Sequence, residues 1–157
     1  MTEQHWRYKD EEQARRVSIE GFEWIIIGEG DKAVVRENIL EAMNKCQELK
    51  IIKQYTACIT NMARFDHPDK WASLVPQIVG YLNNTQENKS VMTGLLSLKG
   101  LAKKYEYEME AEREPLHGVI GETFPILGRL VDNLLGSEND LAQQMLYIIC
   151  KIFYLSN

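Results

Sequence analysis

From Val35 onward, apolar positions recur three and four residues apart, in runs broken by short polar stretches. That spacing predicts a succession of amphipathic helices. The first runs from about Lys32 to Asn44, with Val35, Ile39, Leu40 and Met43 on one face and Asp31 placed as N-cap. The apolar stripe changes phase near Asn44–Gln47, and a second helix spans about Glu48 to Arg64 through Ile51, Ile52, Tyr55, Cys58, Ile59 and Met62. Asp66-His67-Pro68-Asp69 reads as a tight turn. Pro68 suits the first position of the next helix, where its missing N–H would have no partner, and Asp66 or His67 suits the cap. Trp71, Leu74, Val75, Ile78, Val79 and Leu82 then keep helical spacing, with Pro76 expected to bend the helix. Two helices joined by so short a turn are expected to fold back as a hairpin.

The second half repeats this grammar. Thr85 is placed to cap a helix running to Tyr105, in which Gly94 and Gly100 imply close approach by a neighbour. Tyr105 to Glu114 alternates glutamate with other residues and reads as a charged loop. Pro115 opens a long helix to Leu135 with Pro125 inside it and Gly136 as its cap. Ser137–Asp140 starts a last helix carrying Leu141, Met145, Ile148, Ile149 and Ile152. First helices begin near Glu48, Glu87 and Glu138, about 40 to 50 residues apart, a HEAT-type period. The expected fold is therefore an all-α, HEAT-type α-solenoid: a right-handed superhelix of antiparallel helix pairs, ordered helix, hairpin, hairpin, helix, and incomplete at both ends. Residues 31–157 form the repeats. Residues 1–30 are expected to form a polar N-terminal segment and an extended linker, in which Val17 to Ile27 would lie across helices through Phe22, Trp24 and Ile26.

Composition narrows the chemistry. The chain has 157 residues, 45% apolar, with net charge −5, which disfavours direct nucleic-acid binding. No apolar run is long enough to cross a membrane. Cys46, Cys58 and Cys150 are far apart and odd in number, and read as reduced core residues. His5, His67 and His117 stand alone, without ligand spacing for a metal, and no glycine-rich loop fits a phosphate cofactor. The alternating glutamates scatter around a helix axis and form no acid–base pair. No cofactor and no enzymatic activity are expected. Glu106, Glu108, Glu110 and Glu112 are candidates for contact with a basic partner segment.

Several short stretches, in order, resemble the importin-β superfamily of nuclear transport receptors, especially its importin seven/eight branch. They are Val35 to Ala42, the Asp-x-Pro-x-x-Trp of Asp66, Pro68 and Trp71, Lys104 to Tyr107, Glu112 to Leu116, and Lys151 to Tyr154. Departures are Cys46-Gln47, where the family commonly has Ser-Pro, Ala72 where it often has Pro, and a more acidic loop at 108–112. The resemblance implies a carrier of protein cargo, shuttling between cytoplasm and nucleus, that binds Ran in its GTP form and the Phe-Gly repeats of nucleoporins. The groove between helices 48–64 and 88–106 is then the expected phenylalanine crevice. Asp66, Pro68 and Trp71 are expected to act as a structural anchor. A helical-repeat scaffold or adaptor, or an exportin-type relative with other partners, is the alternative.

Overall fold

The computed structural model describes residues 27–157. Six α-helices follow in order: α1 (Glu29–Lys45), α2 (Leu49–Asp66), α3 (Leu74–Asn83), α4 (Asn88–Lys104), α5 (Glu114–Leu134) and α6 (Asp140–Ser156). A single 3-10 turn, Glu110–Glu112, lies between α4 and α5, and there is no strand among the described residues. The extended segment expected before α1 lies, except for Ile27, outside them.

The helices form two layers. In one, α4 packs between α2 and α6; in the other, α3 contacts both α1 and α5. Across the layers the closest packing is α3 on α4 and α5 on α6. This alternation is the arrangement of a HEAT-type α-solenoid, in which each helix pair buries its apolar face on the next.

The pairing corrects the expected hairpin. The backbones of α2 and α3, and likewise of α4 and α5, come no closer than a marginal contact. The packed pairs are α1–α2, α3–α4 and α5–α6, not helix, hairpin, hairpin, helix. The reason lies in the connections. Residues 67–73 form a seven-residue link rather than a four-residue turn, with a cis His67–Pro68 peptide bond. The link carries the chain across from one layer to the other. The short turn at 84–87 instead lays α3 directly against α4.

α4 is the axis of the core. Val91, Leu95, Leu98, Leu101 and Ala102 are buried, and so are Ser90, Thr93 and Ser97 on its other sides. Its two glycines permit the neighbours' approach. A Cβ on Gly94 would lie 2.9 Å from the Leu82 side chain and 3.0 Å from the Leu82 nitrogen. One on Gly100 would lie 3.1 Å from the Thr56 carbonyl oxygen. The Thr60 hydroxyl uses that proximity and donates to the Gly100 carbonyl at 2.9 Å.

Several helix ends differ from expectation. Asp31 sits in the first turn of α1, and Gly28 is the N-cap. Pro68 lies in the link and starts no helix, and Asp66 is the last residue of α2. Pro76 falls in the first turn of α3, where no N–H partner is lost, so it does not interrupt the helix. Glu87, not Thr85, precedes α4. Leu135 rather than Gly136 caps α5, with Pro125 inside that helix. Asn139 does cap α6, its side chain accepting from the Ala142 amide at 2.8 Å. Some faces are also turned. Val35 and Ile51 are exposed while Arg36 is buried, and Cys150 is exposed, not a core residue.

Candidate functional site

The Asp66–Trp71 stretch meets α1 at Arg36. Arg36 lies on the buried face because the adjoining valines, 34 and 35, point outward. Its guanidinium donates to Asp66 Oδ2 at 2.9 Å and also pairs with Glu29. The Asp66 side chain is fully buried, and its Oδ1 accepts no hydrogen bond among the described residues. Trp71 is 1% exposed, and its indole N–H donates to the Arg36 carbonyl at 3.2 Å. Arg36 thus holds the end of α2 through its side chain and the link through its backbone. The hydrogen bond from Arg36 holds the Glu29 carboxyl below its ordinary range. Burial lowers the pKa of Lys32, which also lies on this inner face of α1.

The same link reaches α4. His67 Nδ1 and the Tyr105 hydroxyl share a hydrogen bond of 2.8 Å, and the rings meet edge to face at 6.0 Å. Burial pushes His67 down to about 4, helped by the Lys104 charge and opposed by Asp69. Burial pushes Tyr105 up to about 12. Near neutral pH the bond therefore joins a neutral imidazole to a neutral phenol. Lys104 Nζ stands 3.9 Å from the Tyr105 ring centre and 3.8 Å from Glu108. Tyr105 is the last fixed point before the acidic loop, so the link and the loop share an anchor.

Beyond Tyr105 the loop turns its residues in alternation. Glu106 and Glu108 are half-buried, while Tyr107 (86%) and Met109 (76%) stand in solvent. Glu110 and Glu112 are exposed on the 3-10 turn. The four glutamates thus do not share one environment. Asp66 and Trp71 converge on Arg36, whereas Pro68 is exposed on the link. Arg36 is the structural partner that spacing could not reveal, since it pairs across thirty positions of sequence.

No group of three or more His, Cys, Asp or Glu among the described residues could hold a metal ion. A shallow concavity lined by Asp140, Gln143, Gln144, Tyr147 and Ile148 lies on α6 alone and converges no acid on a base. No described helix is long and apolar enough to cross a membrane.

Comparison with known proteins follows the same lines. Importin-8 of Danio rerio is 34% identical over 128 residues, 82% of this chain. An importin beta-like SAD2 homolog of Arabidopsis thaliana is 30% identical over 131 residues, and a probable importin-7 homolog of Dictyostelium discoideum 29% over 129. The chain spans about 12% of the length of each of these relatives. No protein-family model matches it, and no solved structure shows significant similarity. By these matches the chain belongs to the importin-β superfamily, in the branch of importin-7 and importin-8.

Proposed function

We propose that this chain is a segment of a nuclear transport receptor that moves protein cargo through the nuclear pore under the control of Ran in its GTP form, between cytoplasm and nucleus. The observation that carries this reading is the match to proteins named importins along 82% of the chain. A stacked helical array suits such work because it offers long grooves between successive helices rather than one enclosed pocket. Within it, the groove between α2 and α4 is the proposed crevice for nucleoporin Phe-Gly repeats. Met92 and Leu96 on α4, and Tyr55 and Cys58 on α2, are partly open while packing on the core, which supports that assignment. Asp66, Pro68 and Trp71 are proposed to hold the curvature, and Glu106, Glu108, Glu110 and Glu112 to meet a basic segment of cargo or Ran. The test is retention of the purified chain on immobilised Phe-Gly repeats against Ser-Gly repeats of equal length. Retention by the phenylalanine repeats alone is expected. Equal passage through both columns would overturn the crevice.

A further inference from the structure

Between Ser90 and Lys103, α4 is buried on every side but one. Met92, Leu96 and Lys99 are partly exposed and Lys103 is exposed. Their spacings of four, three and four residues place them on one face of the helix. α2 flanks this face on one side and α6 on the other. Both flanks bring further lysines. The charges acting on Lys99 are those of Lys103, Lys151 of α6 and Lys53 of α2, with no carboxylate among them. None of the four lysines makes an ion pair among the described residues. Lys151 Nζ also lies 5.6 Å from the ring centre of Tyr147 and 5.9 Å from that of Tyr154, both well exposed.

This arrangement concentrates positive charge on one face. Four like charges gather on one face of a protein whose net charge is −5. Burial and the neighbouring lysines together lower the pKa of Lys99, so an anion placed there would relieve both effects. The chain's overall acidity repels a long polyanion at a distance, which disfavours a nucleic acid. A short acidic peptide is repelled less, and it can also use the apolar part of that face.

We propose that the open face of α4, with its α2 and α6 flanks, docks an acidic peptide segment of a partner protein. Carboxylates go to Lys53, Lys99, Lys103 and Lys151, and an interleaved apolar side chain goes to Met92 and Leu96. The proposal shares Met92 and Leu96 with the Phe-Gly crevice but differs from it in its charges, because an uncharged Phe-Gly segment between α2 and α4 would need none of these lysines.

Fluorescence anisotropy tests it with the whole chain. The probe is a labelled peptide of alternating Asp, Glu and Leu; the comparison peptide has Asn and Gln in place of the acids. Expected is binding of the acidic peptide only, weakened by added salt. The double variant Lys99→Gln/Lys151→Gln should lose about tenfold in affinity, and so should Lys53→Gln/Lys103→Gln, whose side chains are exposed and carry no packing risk. Arg129→Gln, on exposed α5 surface, should bind as the parent does. Equal binding of the amide peptide, no binding of either, or full affinity in the second double variant would overturn the proposal. Tighter binding of a single-stranded oligothymidylate than of the peptide would overturn the choice of partner.

Discussion

Replacing Arg36 by methionine should be among the most damaging single changes in the described helices. The Arg36 side chain is 6% exposed and that of Asp66 is 0%. The substitution removes the donor to Asp66 Oδ2, and Oδ1 has no hydrogen-bond donor to begin with. Breaking a buried pair from one side costs about 3–5 kcal/mol, because the remaining charge stays desolvated. The nearby charge of Lys32 acts on Asp66 and should hold the loss to about 3 kcal/mol, the lower part of that range. Asp66→Leu should cost less, about 2 kcal/mol, since Arg36 keeps Glu29, whose side chain is half exposed. The double variant Arg36→Met/Asp66→Leu removes both charges and should come within about 1 kcal/mol of the parent. Urea denaturation followed by circular dichroism measures all four proteins, with equal slopes as the condition for comparison. The coupling between the sites should then be about 4 kcal/mol or more. A loss below about 1 kcal/mol for Arg36→Met, or strict additivity in the double variant, would refute the idea that this pair ties the end of α2 to α1.

Other expectations are as direct. Trp71→Ala should cost about 3–5 kcal/mol and Trp71→Phe about 1 kcal/mol, the latter reporting the indole hydrogen bond to Arg36; thermal melts separate them. Gly100→Ala should destabilise by about 1–3 kcal/mol, because the new methyl meets the Thr56 carbonyl. Gly128→Ala in α5 meets nothing within 4 Å and should stabilise by about 1 kcal/mol, so the two alanines should move the melting temperature in opposite directions. His67 titrates near 4 when folded and near 6.5 when unfolded, so the unfolded chain binds the extra proton between those values. Its contribution is fully present above pH 6.5 and fades toward pH 4, by at most about 3 kcal/mol. Against the parent, His67→Gln should show a shallower loss of stability across that window.

The helices themselves were largely legible. Ile52 and Ile59 in α2, Leu95 and Leu98 in α4, and Ile148 and Ile152 in α6 are buried as their spacing requires. Gly94 and Gly100 marked close packing because a glycine inside a helix needs a reason, and Asn139 marked a start because its side chain can reach an unpaired amide. Periodicity failed where a long-range pair outweighed it. Trp71 continues the α3 pattern in sequence, yet it leaves the helix to meet Arg36, and that shift lengthens the link and parts α2 from α3. Val35 looked like the inward residue of α1 until Arg36 took that place against Asp66. The lysine face was invisible for another reason. Lys53, Lys99 and Lys151 are about fifty positions apart, and only the side-by-side packing of α2, α4 and α6 brings their charges together.

The central claim, that this helical segment serves a nuclear transport receptor, is tested most directly by titrating an isotopically labelled chain with a short Phe-Gly peptide and following the backbone amide resonances. Shifts concentrated in the facing residues of α2 and α4, and absent with a Ser-Gly peptide, are the expected result. Shifts confined to α1, α3 and α5, or none at all, would contradict it.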